Sequence, residues 1–170
     1  MRHNRPSKGV MGAAWLATLG AVLAALVVAV VVNAASSSSS SRPSFSLHRL
    51  EGNGPAVQLS QFKGHPVVVT FFASWCVPCH EELPTIASVQ RGIGPAQPLP
   101  GRAVDFVGVD VGDDAASALS LVNASQVAFP VGVDPNSQVS GEVFHLVGVP
   151  STVFLDAGGN VVGSVRGPVT

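Results

Sequence analysis

PVVVTFFASWCVPCHEELP, Pro66 to Pro84, changes character halfway along. Its first half, PVVVTFF (66–72), is apolar and β-branched, the composition of a buried strand. Its second half reads as a helix that starts at Cys76 and runs through EELPTIASVQR, with Pro84 expected to kink it. The junction carries CVPCH, Cys76 to His80, and that run is compatible with two chemistries. C-x-x-C-H attaches a c-type haem through two thioethers and an axial His. It is also a redox pair that happens to precede a His.

The haem reading lacks a sulfur axial ligand in the right place, because the only methionines are Met1 and Met11. A bis-His haem would have to recruit His48, His65 or His145. Zinc fares worse, since structural sites usually combine one C-x-x-C with a second Cys/His pair, and these are the chain's only two cysteines. A structural bridge is also a poor account, because a disulfide stabilises most when it closes a long loop. The redox reading follows from the junction itself. Free backbone N–H groups and the helix dipole favour a thiolate at Cys76. Cys79, one turn on, is placed to resolve a mixed disulfide. Trp75 covers the edge of the site, and Pro78 in the first turn costs little and stiffens the pair.

Working outward, the surrounding pattern alternates strands and helices. FSLHRL (45–50) and AVQLSQF (56–62) read as short strands around Gly52-Asn53-Gly54-Pro55. AVDFVGVDV (103–111) is a second buried strand, and DDAASALSLVNAS (113–125) a helix with acids at its start. FPVGVD (129–134) reads as a strand and NSQVSGEVFHL (136–146) as a helix. STVFLD (151–156), AGGN and VVGSVR (161–166) form a hairpin. Such a series indicates an α/β sandwich on a mixed sheet. Asp110, Asp113 and Asp114 are read as a strand end and a helix start, not as a metal site.

The N-terminal quarter is different. Arg2, Arg5 and Lys8 precede an uncharged run, VMGAAWLATLGAVLAALVVAVVV, from Val10 to Val32. That run is long enough for a bilayer, which takes about 20 apolar residues, and longer than the roughly 7–15 of a signal-peptide core. The positive-inside rule then exports everything after it. The expected organisation is a cytoplasmic basic tail (1–9), a single-pass anchor (10–32), a Ser-rich linker (33–43) and an extracytoplasmic domain (44–170). A cleavage site at Val32-Asn33-Ala34 is the rival reading. The exported part holds six of the nine Lys/Arg and all ten Asp/Glu, a net charge of −4 with His neutral. It has no basic stripe, which argues against a nucleic-acid partner.

FFASWCVPCHEELP (71–84) resembles the active-site segment of the thioredoxin superfamily. It is most similar to the membrane-anchored extracytoplasmic thiol–disulfide oxidoreductases of the TlpA/ResA type. LSQFKGHPVVVTFFASWC (59–76) and GVPSTVFLDAGGNVVGSVRG (148–167) extend the similarity over nearly all of 44–170. The resemblance implies a thioredoxin-like sandwich with a mixed central sheet, no cofactor and no metal. It implies Cys76 and Cys79 as a redox disulfide and Glu82 as a catalytic acid–base group. It further implies a substrate-binding edge of Trp75, Val149 and Pro150, with Val149-Pro150 cis. Exported thiol proteins are the implied partners, apocytochrome c first among them, with a membrane thiol donor restoring the reduced pair. A peroxide-reducing redoxin is the alternative. Three features depart from the pattern. Thr70 stands where thioredoxin has a buried Asp, Val77-Pro78 replaces Gly-Pro, and the sequence stops at Thr170 where the family continues into a final helix.

Overall fold

The computed structural model describes residues 42–93 and 103–169. The expected tail and anchor, and all but the end of the expected linker, lie outside the described residues. Among the described residues no helix is long and apolar enough to cross a membrane.

Seven strands, β1 (Ser46–Arg49), β2 (Val57–Gln58), β3 (Val67–Phe72), β4 (Asp105–Val111), β5 (Val131–Asp134), β6 (Ser151–Leu155) and β7 (Val161–Arg166), form one sheet. Their order is β2-β1-β5-β4-β3-β6-β7. Helices α1 (Val77–Ile93) and α2 (Ala115–Ala124) supply the two crossovers. β3, β4 and β5 run parallel, while β1, β6 and β7 are antiparallel to their neighbours. The expected α/β sandwich on a mixed sheet is therefore present.

The β-branched run of β3 is central because both of its edges are paired. Val67 to Phe72 lie opposite Asp105 to Asp110 of β4, and Val67 to Phe71 lie opposite Leu155 to Ser151 of β6. Its side chains then serve two cores in alternation. Val69 and Phe71 join Val107, Val109 and Val153 on one face. Phe72 joins Phe106, Phe129, Leu83 and Ile86 on the face that α1 and α2 cover. Burying side chains of this size contributes roughly 1.5–3 kcal/mol each.

Two expected elements come out differently. The strand expected over 56–62 is strand only at Val57–Gln58, and Leu59–Phe62 winds into a 3-10 turn. Gln61 explains the change: its Oε1 accepts the Gln58 N–H at 3.2 Å and its Nε2 donates to the Ala56 carbonyl at 3.1 Å. The helix expected over 136–146 is a single π turn, Gln138–Val143. Buried Asp134 holds that turn by accepting from the Val139 and Ser140 amides and the Ser140 hydroxyl. Phe144 then packs edge-on against Phe45 and Phe71 instead of extending the helix. α1 runs on through Pro84 without a break.

At Gly108 of β4 the helix-side core leaves no room for a side chain. A Cβ there would lie 2.9 Å from Val131, 3.1 Å from Phe72 and 3.3 Å from Phe129, whereas at Gly92 in α1 nothing lies within 4 Å. Gly108→Val is expected to lower stability by about 1–3 kcal/mol, as overpacked cores do. Gly92→Ala should raise it by about 0.5–1 kcal/mol, the helix preference for Ala over Gly. Urea midpoints of the two variants measure both.

Candidate active site

The site is built where β3 ends. Ala73 to Trp75 turn the chain, the Cys76 N–H donates to the Ala73 carbonyl at 3.2 Å, and α1 starts at the next residue. Cys76 therefore sits at the helix N-terminus, and the Cys79 N–H closes the first turn onto its carbonyl at 2.9 Å. The two sulfurs are bonded to each other. Cys79 is fully buried and Cys76 is 4% exposed, whereas Trp75 and Val77 beside them are 62% and 74% exposed. A partner reaching this surface meets Cys76 first.

The turn before Cys76 is held from the segment after β4. Asp113 accepts from the Ser74 backbone N–H with one carboxylate oxygen and from the Ser74 hydroxyl, at 2.8 Å, with the other. The Trp75 indole N–H donates to the Gly112 carbonyl at 3.2 Å. From α1, the His80 ring pairs Nε2 with the Ser74 carbonyl at 2.7 Å. Asp113, expected at a strand end or helix start, holds the turn instead. The 39-residue separation of Asp113 from Ser74 leaves no local signal of their bond.

The remaining expected residues converge on the same end of the sheet. Val149-Pro150 is cis, and Val149 packs against both cores, including the one that contains the cysteines. Trp75, Gly112, Ser140, Val147 and Val149 line part of a groove of about 350 Å³. Glu82 is buried with Cys79 on the inner side of α1, while Glu81 is exposed. Glu82 is 2% exposed, and its Oε1 accepts the Val169 N–H at 3.1 Å. Burial raises its carboxyl above the ordinary 4.5, and the Val169 N–H and the nearby Thr152 hydroxyl offset part of that rise. Thr152 Oγ1 reaches no partner in hydrogen-bond geometry, and neither does Thr70 Oγ1 across the β3–β6 ladder.

A bonded cysteine pair placed this way on such a sheet defines a class: the thiol–disulfide oxidoreductases of thioredoxin fold. A profile of the redoxin family matches residues 37–170. The chain belongs to the redoxin family, within its TlpA/ResA-type group.

Among curated relatives, the thiol-disulfide oxidoreductase ResA of Bacillus subtilis (strain 168) is 30% identical over 75% of this chain. The protein of the same name from Geobacillus kaustophilus is 27% identical over 75%. The chain spans 66% and 68% of those two relatives' own lengths. Of solved structures, MTB dsbF superposes with a TM-score of 0.63 at 30% identity, over 74% of this chain and 86% of that one. A secreted Mycobacterium tuberculosis disulfide oxidoreductase homologous to E. coli DsbE shares the fold, with a TM-score of 0.64 at 24% identity, over 78% and 90%.

The buried Glu82 makes stability depend on pH with a definite sign. An acid whose folded pKa is raised binds its proton more tightly in the folded chain. Its contribution is complete below the unfolded value, near 4.5, and is lost as pH rises through the folded one. Glu82→Gln cannot ionise. Urea midpoints should therefore show the Gln variant gaining on wild type as pH climbs from about 4.5.

Proposed function

We propose that this chain reduces disulfide bonds in exported proteins from a membrane-tethered position. The observation that carries the reading is the Cys76–Cys79 bridge at the start of α1, with Cys79 fully buried and Cys76 beside the exposed Trp75. In the reduced chain, the Cys76 thiolate attacks one sulfur of a partner disulfide and expels the other as a thiolate. Cys79 gives its proton to Glu82 and attacks the Cys76 sulfur. The second partner thiolate leaves, two electrons have passed to the partner, and the Cys76–Cys79 bridge is restored. A membrane thiol donor then reduces that bridge.

The groove beside Trp75 and Val149 suits an extended segment of the partner, with the Val149 backbone pairing to it and cis Pro150 setting the direction of that backbone. Apocytochrome c, whose own C-x-x-C-H thiols must be reduced before haem attachment, is the substrate we favour. The buried position of Cys79 against Leu83 and Phe72 argues against the haem reading, which needs both sulfurs facing one macrocycle. Residues 1–9 remain cytoplasmic in this reading, 10–32 anchor the chain, 33–43 tether it and 44–170 work outside the membrane.

Cys76→Ser is expected to abolish exchange, and Cys79→Ser to accumulate mixed disulfides that a non-reducing gel resolves. Trapping by Cys76→Ser instead would reverse the two roles. Titration against glutathione should place the pair near thioredoxin's potential, about −270 mV; a value near −120 mV would make the chain an oxidant and end the proposal.

The topology has its own check. A membrane-impermeant maleimide should label Cys76 in intact, reduced cells. Labelling only after lysis would place the domain on the other side.

A further inference from the structure

Asp110 is the last helix-side residue of β4, opposite Phe72 in the β3–β4 ladder, and it is 2% exposed. Its Oδ1 has no hydrogen-bond partner. The charged groups acting on it from the segment ahead of α2 are Asp113 and Asp114, both acids. The residues opposite it on β3 and β5 are Phe72 and Val133. Asp134 of β5 is turned to the other face, where it holds the π turn. From α1, His80 is bonded to the Ser74 carbonyl. The two cysteines share the helix-side core with Phe72, and in the oxidised protein they carry no titrating proton.

Two carboxyl groups three residues apart at a buried strand end favour holding one proton between them, because two charges there would repel with little water to screen them. Asp113 accepts from three donors: the Ser74 N–H, the Ser74 hydroxyl and the Asp114 N–H. Asp110 is buried and its Oδ1 accepts from no donor, so the proton of the pair is better placed on Asp110 than on the carboxyl that Ser74 already donates to. We propose that Asp110 and Asp113 form one proton-sharing unit that positions the Ser74–Trp75 segment, and through it the sulfur of Cys76. The last step rests on Cys76 being the attacking thiol, as proposed above.

The unit works only while Asp110 holds its proton. Burial, followed by the charge of Asp113, raises the Asp110 carboxyl from 3.8 to about 7. Ionising it puts two negative charges in contact with little water between them. Relief requires Asp113 to move, and that movement releases both Ser74 bonds. It also disturbs Gly112, whose carbonyl holds the Trp75 indole. The added charge near Cys76 further disfavours a thiolate there. The segment is therefore fixed below neutrality and loosened above it.

Trp75 reports on this directly. The chain has two tryptophans, so the full chain with Trp15→Phe leaves Trp75 alone. In the oxidised protein, Trp75 emission should shift with a midpoint close to pH 7. Asp110→Asn keeps a donor toward Asp113 but cannot ionise, so the shift should vanish. It should persist in His80→Asn, which removes the other ionisable group bonded to the segment. In the reduced protein, the rate of Cys76 alkylation per thiolate should fall severalfold across the transition in wild type and stay level in Asp110→Asn. A transition that survives Asp110→Asn, or vanishes only in His80→Asn, overturns the inference.

Should Asp110→Asn fail to fold, a Glu82→Gln chain with Asp110 intact provides the test. Its infrared spectrum should contain a protonated-carboxyl band that disappears across the same pH range, and absence of that band overturns the inference equally. The Trp75 transition needs no catalysis. Its failure would leave the Cys79→Ser trapping test of the function standing, and the reverse also holds.

Discussion

β3 is hydrogen-bonded along both edges, and the site's geometry follows from the residue at which that pairing ends. Phe72 is opposite Asp110 on β4, and Phe71 is opposite Ser151 on β6. Three segments therefore leave the sheet at one level: the turn into Cys76, the Gly112–Asp114 segment after β4, and Val149-Pro150 before β6. None of these segments is near another in sequence. A one-residue slip of β3 would turn its side chains to the opposite faces. It would move Phe71 into the core that Phe72 occupies and carry the cysteine turn away from Asp113.

That dependence explains which parts of the molecule were legible in the sequence. β3, α1 and the β6–β7 hairpin are written in local patterns: a β-branched run, apolar helical spacing, and alternation around a Gly-Gly turn. The C-x-x-C spacing alone brings two sulfurs within bonding reach across one helical turn. The π turn at Gln138–Val143 and the 3-10 turn at Leu59–Phe62 were misread because polar side chains decide them. Asp134 and Gln61 spend their hydrogen bonds on backbone groups that a regular helix or strand would have used. The bonds of Asp113 to Ser74 were invisible for a different reason. They depend on β3 and β4 being neighbours in register, a tertiary fact with no local trace.

Thr70 and Thr152 belong to the same accounting. They are ladder partners in the middle of the sheet, and both hydroxyls are buried without hydrogen-bond partners. Thr70 occupies the position of thioredoxin's buried acid. In this chain one buried acid on the helix side comes from α1, as Glu82, and the Val169 N–H satisfies one of its oxygens. Glu82 rides on the same element as Cys79. Any shift of α1 relative to β3 would then carry Glu82 and Cys79 together, so their relation does not depend on the fit between layers.

Charge sets the order in which the groups can act. Glu82 lies one turn beyond Cys79 on α1, and Asp110 lies at the sheet end next to the turn into Cys76. Burial biases both toward the neutral acid. A thiolate at Cys76 is easiest to form while both acids keep their protons, because each ionised carboxylate would add repulsion in a poorly solvated region. In the exchange proposed above, resolution by Cys79 has the opposite need, an ionised Glu82 to receive its proton. In that proposed sequence the Cys76 charge is by then gone, consumed in the mixed disulfide, so ionising Glu82 no longer sets two negative charges in one poorly solvated region. Attack would thus ease ionisation of the group proposed to serve resolution. On this account, a buried acid beside the resolving cysteine suits a reductant that must hold one thiolate ready and release the second only after the first has reacted.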